Sequence, residues 1–136
     1  MGYVYDDSAW PVVQFRFSGR LNAAENERYF RDSDALLQVA PGFTCVLDGV
    51  DMQIPEVELV RQQAAWIRAN REAVRRVNRG FALIAPSAVI RGMVRAVFHI
   101  QPLPVPYAIF AELDEGLVWA RDRATARPLT KFPKPT

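Results

Sequence analysis

Few side chains in this sequence could do chemistry together, and the most prominent candidates are two carboxylates. Asp48 and Asp51 follow an apolar run of strand formers over residues 43–47. Because open α/β sheets bind ligands beyond the carboxyl ends of their strands, this pair could hold a metal ion or act as an acid–base pair. A turn aspartate that hydrogen-bonds its own backbone is the commoner use of such a pattern. No second group of histidines or carboxylates supports catalysis, so we expect no catalytic residue, no metal site and no cofactor.

The single histidine is part of a candidate contact surface. Arg91, Arg95 and His99 recur every four residues, so they share one face of a predicted helix. They could form a basic or pH-sensitive surface, although a solvated helix face is the commoner outcome. Ser87 has no identifiable base to activate it, and we interpret it as the N-cap of the same helix.

A second basic stripe is predicted along the longest helix. It comprises Arg61, Arg68, Arg75 and Arg79. Glu72 lies four residues from both Arg68 and Arg76, so part of this charge is expected to be paired along the helix. An acidic protein partner or an anionic membrane surface could bind there, and a solvated face is again the commoner outcome.

The charge distribution argues against a nucleic-acid partner. The chain of 136 residues has 17 Lys and Arg against 15 Asp and Glu, a net charge of +2. From Arg121 onward there are five basic residues and one acidic residue, which leaves twelve basic and fourteen acidic residues, or −2, in residues 1–120. Folds that bind nucleic acid carry their basic excess on a structured face. We therefore expect no nucleic-acid binding.

The cysteine content and the hydropathy pattern indicate a cytoplasmic protein. Cys45 is the only cysteine, which excludes an internal disulfide and a multi-cysteine metal site. Within an apolar strand it is expected to behave as a small buried hydrophobe. The chain does not begin with a secretory signal pattern, and no apolar run approaches the roughly 18 residues of a membrane span.

Strand and helix patterns alternate along the whole chain, which predicts a mainly parallel sheet with flanking helices. The predicted strands are 2–5, 11–17, 43–47, 81–85 and 107–111, and the predicted helices are 22–40, 55–78, 87–100 and 112–123. Asn22 and Glu25 form an approximate capping box, and Gly80 is the expected C-cap of the long helix. The core stripe of that helix is predicted to comprise Val57, Val60, Ala64, Ile67 and Val74. One domain is expected over 1–124, followed by a flexible tail with prolines and lysines over 125–136.

The predicted helix 87–100 carries more apolar surface than one contact with a sheet requires. Its apolar residues Val89, Ile90, Met93, Val94, Val97, Phe98 and Ile100 cover about half of its circumference. The excess could meet a neighbouring helix, a second copy of the chain or a ligand. We predict an interaction surface of Ile90, Arg91, Val94, Arg95, Phe98 and His99. Ile90 and Val94 are expected on its solvent side, where an isologous homodimer would bury them.

Four segments carry a resemblance to a known family. They are FSGRLNAAENERYFRDSDALL, TCVLDGVD, GFALIAPSAVIRGMV and YAIFAELDEGLVWA, which together span about residues 11–120. In this order and spacing they resemble a STAS domain, the fold of bacterial anti-sigma factor antagonists. The resemblance implies a single SpoIIAA-like α/β domain with a four- to five-stranded, mainly parallel sheet and flanking helices. It also implies a non-enzymatic protein-interaction or regulatory module.

The sequence departs from that family where its regulatory serine would stand. The serine, usually in an Asp-Ser pair, opens the helix after the central strand, but residues 50–55 contain no Ser or Thr. The chain is more similar to the SpoIIAA-like branch, which is sometimes grouped with lipid-binding SEC14-type folds. The alternative function is therefore a carrier or sensor of a small apolar or lipid-like ligand, held beneath helix 87–100 and the proline-rich connector 102–106. A sizeable, dry, closed pocket there would favour the ligand, and a flat apolar patch would favour a protein partner.

Overall fold

The computed structural model describes residues 2–39 and 42–125. Within these ranges the chain forms five strands and five helices. In chain order they are β1 (Tyr3–Asp6), β2 (Val12–Gly19), α1 (Ala23–Leu36), β3 (Phe43–Met52), α2 (Val57–Ala69), α3 (Arg71–Val77), β4 (Asn78–Ile84), α4 (Ala88–Ile100), β5 (Tyr107–Phe110) and α5 (Leu113–Thr125). The tail predicted over 125–136 begins with the last residue of α5, and the rest of it lies outside the described residues.

The sheet follows the order of the strands in the chain. β1 pairs with β2 in the antiparallel direction at one edge, and β2, β3, β4 and β5 then pair in parallel. The predicted mainly parallel sheet of four to five strands is confirmed, including the parallel pairing of β3 with β4. None of the described helices is both long and apolar enough to cross a bilayer.

The central strand is longer than its apolar run predicts. β3 continues to Met52, and Asp48 and Asp51 are paired in register with Arg16 and Ser18 of β2. The expectation of an acidic turn after residue 47 is therefore wrong. Pairing with the neighbouring strand keeps these polar residues extended, whereas their local preference would favour a turn.

The predicted long helix is two helices. α2 ends at Ala69 and α3 begins at Arg71, with the intervening Asn70 at φ −118° and ψ 19°. The Asn70 backbone N–H and the Asn70 side-chain amide both donate to the Trp66 carbonyl, at 3.0 and 2.9 Å, and so close the last turn of α2.

Gly80 lies inside β4 and is not a helix C-cap, which corrects the prediction. A Cβ atom there would lie 2.9 Å from the Trp119 ring and 3.2 Å from the Pro106 carbonyl oxygen. The glycine therefore allows α5 and the segment before β5 to approach the strand closely.

One face of the sheet is covered closely by α5. This helix presents Gly116, Ala120 and Ala124, all buried, and a Cβ at Gly116 would overlap the Ile84 side chain. The Thr44 hydroxyl of β3 donates to the Ala120 carbonyl at 3.0 Å. Small residues thus let this helix backbone lie against the strands.

The other face is covered by α1, α2 and α4. At its β2 end, the Tyr29 ring of α1 packs edge-on against Phe15 and Phe17 at centroid distances of 5.5 and 5.2 Å. The predicted capping box of α1 is confirmed: Asn22 Oδ1 accepts from the Glu25 backbone N–H, and Glu25 Oε1 accepts from that of Asn22. This cap and these ring contacts fix the position of Tyr29.

Candidate functional site

An apolar cavity of about 150 Å³, partly open to solvent, lies between α2, α4 and the sheet. From the helices and the connector it is lined by Leu59, Val60, Gln63, Ile67, Met93, Val94, Val97, Phe98 and Leu103. From the sheet it is lined mainly by Leu47, Phe81, Leu83 and Ile109. If the protein binds a ligand, the sequence predicts its pocket beneath helix 87–100 and the connector 102–106, and the cavity lies at this position.

The cavity exists because the two faces of the sheet are covered at different distances. The backbones of α2 and α4 lie farther from the strands than the backbone of α5, which presents glycine and alanine. On the α5 face, Val46 and Ala82 are 0% exposed. Their strand neighbours Leu47 and Phe81 point to the opposite face and are only half-buried. The middle of the sheet is thus incompletely covered on the cavity side.

Two polar side chains interrupt the apolar lining. The Tyr29 hydroxyl donates to Gln63 Oε1 at 2.5 Å. Burial raises the pKa of Tyr29, so its hydroxyl stays protonated and remains a donor at neutral pH. No charged side chain lines the cavity among the residues that the structure describes.

At one end of the cavity, hydrogen bonds connect α2 and α3 to the segment that follows α4. Arg68 Nη1 of α2 donates to Gln101 Oε1 at 2.9 Å, and Arg71 Nη1 of α3 donates to the Pro102 carbonyl at 2.8 Å. At the other end α2 begins without a side-chain cap, and Val57 is 72% exposed. The prediction that Val57 belongs to the core stripe is therefore wrong, whereas the predicted core residue Ile67 is buried.

The predicted interaction surface on α4 is divided between the interior and the solvent. Ile90 and Phe98 are each 7% exposed, and Val94 is half-buried against the cavity. The expectation that Ile90 and Val94 lie on the solvent side is wrong, because the helix turns Ile90 and Phe98 toward the sheet and Val94 toward the cavity. Val89 and Ile100 take the solvent side and are 62% and 82% exposed.

The three basic residues of α4 do not act as one surface. Arg91 Nη1 donates to the carbonyl oxygens of Ala85 and Pro86, at 2.7 and 2.8 Å, and so satisfies the backbone where β4 ends. Arg95 and His99 are exposed. Arg91 is therefore a structural residue, and the other two remain available for contact.

The break at Asn70 also divides the predicted arginine stripe. Arg61 lies 3.2 Å from Glu58 on α2, and Arg75 lies 3.6 Å from Glu72 on α3. Glu72 thus pairs three residues along the helix, and not with the predicted partners at four. Arg68 donates a hydrogen bond to Gln101, and Arg79 belongs to β4 and not to a helix. Exposed pairs of this kind contribute little to stability.

The two aspartates of β3 lie in different environments, since Asp48 is buried and Asp51 is exposed. Asp48 is buried and accepts hydrogen bonds from Gln14 Nε2 at 3.2 Å and the Val50 backbone N–H at 3.1 Å. Arg16 Nε lies 3.8 Å from the same carboxylate. Asp48 thus bonds the backbone two residues further on, as a turn aspartate would, but it does so from within a strand. Asp51 is exposed, and no cluster of three His, Cys, Asp or Glu able to hold a metal occurs in the described ranges.

Cys45 is buried in the core beneath α1, as the sequence predicts. Asn78 Nδ2 approaches its sulfur at 3.4 Å, and burial raises the pKa of the thiol to about 12. A thiol this far from ionisation is a poor nucleophile at neutral pH. It acts as a packing residue.

Sequence reasoning missed Gln63 and its partner Tyr29 as site residues. A signal for Gln63 was present, since it lies four residues from Leu59 and from Ile67 and is a polar residue within an apolar stripe. Nothing in the sequence connects it with Tyr29, which lies 34 positions earlier and meets it only across two helices.

In comparisons with known proteins, no protein-family model matches this chain, and no curated protein matches it. The solved structures include a similar one: an uncharacterised protein of the DUF3478 family with a SpoIIAA-like fold, from Shewanella loihica PV-4. The likeness has a TM-score of 0.64 at 12% sequence identity and covers 88% of this chain and 92% of that one. The chain therefore has the SpoIIAA-like fold, and the predicted fold class is confirmed.

Proposed function

We propose that this chain is a non-enzymatic SpoIIAA-like module that carries or senses a small apolar ligand in the cavity between α2, α4 and the sheet. The observation that carries the proposal is the apolar cavity of about 150 Å³ itself. Binding sites for small molecules are mostly apolar concavities with a few placed polar groups. The cavity is apolar but not fully closed, and because of its apolar lining we prefer a ligand carrier or sensor to a protein-interaction module.

The energetics of an unfilled cavity support this choice. The apolar side chains that line the cavity lack packing partners on the side that faces the empty space, and a ligand there would supply van der Waals contacts. A ligand that fills the space restores part of that contact.

The test uses apolar probes and a variant whose cavity is partly filled. Native mass spectrometry of freshly purified protein reports any retained ligand, and thermal unfolding with toluene or indole reports added ligand. Val94→Phe occupies part of the cavity, and Val89→Phe adds the same side chain on the exposed side of α4. At a hundredfold excess of ligand over Kd, stabilisation of about 2.7 kcal/mol is expected.

We expect a saturable rise in Tm for the unmodified protein and for Val89→Phe, and a smaller rise for Val94→Phe at the same probe concentration. Equal rises in all three proteins would place the probes outside the cavity. The absence of any rise, together with no retained ligand, would overturn the proposal.

A second candidate function is self-association through the solvent side of α4. The observation in its favour is that Val89 and Ile100 are largely exposed, with Arg95 and His99 beside them. Isologous pairing of two such faces would bury the apolar residues and leave the basic ones at the rim. Light scattering should then give a dimer that Val89→Glu converts to folded monomer.

Val118→Glu is the matched control, because Val118 is 51% exposed on the distant α5. A monomer for the unmodified protein at high micromolar concentration would exclude this candidate. A protein partner, the absence of nucleic-acid binding and the cytoplasmic location stay predictions.

A further inference from the structure

We infer that the outer edge of β5 pairs in the antiparallel direction with the same edge of a second copy of this chain, so that two sheets join into one. The inference is independent of the ligand proposed for the cavity, and it uses a different surface from Val89 and Ile100 of α4. Three observations lead to it: an unpaired strand edge, a groove beside that edge, and opposite charges at its two ends.

β5 lies at one edge of the sheet and is paired with β4 on one side only. From β4 and the residue after it, backbone N–H groups donate to the carbonyl oxygens of Pro106 and Phe110, at 3.1 and 2.9 Å. Because the backbone groups of a strand alternate between its two sides, the N–H and C=O groups of Tyr107 and Ile109 face outward. No backbone partner for these outward groups occurs within the described ranges. The edge thus has the donors and acceptors that another strand needs.

The side chains of β5 do not protect this edge. Edge strands are commonly kept from pairing by charged residues, and β5 has none among its four residues. The opposite edge strand, β1, ends in Asp6, which forms an ion pair with Arg16 at 3.4 Å. Pro104 and Pro106 precede β5 and have no backbone N–H, so they confine new pairing to the strand itself.

Opposite charges flank the two ends of this edge. Arg95 and His99 of α4 are exposed and line a groove beside Tyr107 that also reaches the segment before β5, so they lie toward its amino end. Neither residue forms an ion pair within the described ranges. At the carboxyl end, the exposed Glu112 follows the strand and the exposed Asp114 lies in the first turn of α5.

Two copies of this edge are complementary when they pair in the antiparallel direction. The amino end of each β5 then lies beside the carboxyl end of the other, so Arg95 of one protomer lies toward the partner's Glu112. The register that places Tyr107 opposite Ile109 of the partner subunit uses every outward donor and acceptor of both strands. Parallel pairing would bring like charges together. The charge pattern therefore fits a second copy of the chain.

The first test measures self-association of the full chain by sedimentation velocity up to high micromolar concentration. The pairing is short, so we expect a dimer that dissociates on dilution. In NMR spectra, the amide signals of Tyr107 and Ile109 should shift with protein concentration.

A matched pair of variants at one position separates the backbone from the side chain. Tyr107→Pro removes an outward N–H and keeps the groups that bond β4, whereas Tyr107→Ala removes the same ring and keeps the N–H. Tyr107→Pro should raise the dimer Kd about tenfold or more, because one hydrogen bond is lost on each protomer. Tyr107→Ala should change the Kd less than about threefold, because the ring packs on Phe98 of its own chain at a centroid distance of 4.9 Å.

The second test exchanges charges and leaves β5 unaltered. One variant combines Arg95→Glu with His99→Glu, and the other combines Glu112→Lys with Asp114→Lys, so that both ends of each edge have one sign of charge. Each variant alone should self-associate about tenfold more weakly than the unmodified protein, and an equimolar mixture should form a heterodimer. Val89→Glu is the control, because Val89 is exposed on α4 outside the groove and should leave the Kd unchanged.

The outcomes separate this edge from other surfaces. A unmodified protein that stays monomeric at high micromolar concentration would overturn the inference. A dimer that Val89→Glu dissociates, and that Tyr107→Pro and the charge variants do not weaken, would belong to the face of α4. Equal weakening by both Tyr107 variants, with no heterodimer in the mixture, would show that the ring and not the backbone makes the contact. If Tyr107→Pro does not fold, the mixture of charge variants decides.

Discussion

Filling the cavity from α4 should stabilise the protein. Val94 is half-buried and lines the cavity, so a phenylalanine at this position would place four more side-chain carbon atoms in existing space. At about 0.8 kcal/mol for each buried CH₂ equivalent, full burial would contribute an upper bound of about 3 kcal/mol. Ordering the larger side chain and imperfect fit reduce this, and we expect a gain of about 1–2 kcal/mol.

The assay is urea unfolding followed by far-UV circular dichroism. The midpoint should rise for Val94→Phe with an unchanged slope, because the mutation alters packing and not the surface exposed on unfolding. Val89→Phe, on the exposed side of the same helix, should stay within about 0.5 kcal/mol of the unmodified protein.

Two results would refute the reasoning. If Val94→Phe is destabilised by more than about 1 kcal/mol, the space beside this residue is not available and the substitution overpacks the interface. If Val89→Phe gains as much stability as Val94→Phe, the effect belongs to the phenylalanine and not to the cavity.

Further predictions concern the core and the first helix. Cys45, whose thiol pKa burial raises to about 12, should react with a thiol reagent at pH 8 only at the rate of unfolding, whereas rapid reaction of the native protein would show an accessible thiol. Gly80→Ala should cost about 1–3 kcal/mol in urea unfolding, because its Cβ would meet the Trp119 ring at 2.9 Å. Backbone hydrogen bonds, that of Asn22 foremost, lower the pKa of Glu25 from 4.5. The stability they give should therefore be present above that pH and be lost as the pH falls through the lower folded value, with a smaller acid loss in Glu25→Gln.

The local signals in the sequence determined the order of the elements and their caps. Asn22 with Glu25 and Ser87 are found at the predicted helix starts, and the Ser87 hydroxyl accepts from the Ile90 backbone N–H at 3.3 Å. Caps depend on a few neighbouring residues, so they can be read without knowing the tertiary structure. The alternation of strand and helix likewise fixed the mainly parallel sheet, since parallel neighbours need a crossover between them.

Where an element ended depended on contacts from distant parts of the chain. β3 extends to Met52 because β2 pairs with it, and the long apolar pattern breaks at Asn70, where the chain turns from α2 into α3. β2 is remote in sequence from the end of β3, and the side chains on either side of Asn70, Arg68 and Arg71, bond Gln101 and Pro102, which are also remote in sequence. The predicted turn at residue 48 and the predicted C-cap at Gly80 failed for this reason.

The cavity was decided by the tertiary structure alone. Periodicity shows which residues of α4 share a face, but not which part of a wide apolar arc turns inward, so Ile90 and Val89 could not be told apart. The distance between a helix and a sheet depends on the side chains of both layers. Gly116 and Ala120 let α5 lie against the strands, while the larger side chains of α2 and α4 hold their backbones away and leave the space between them.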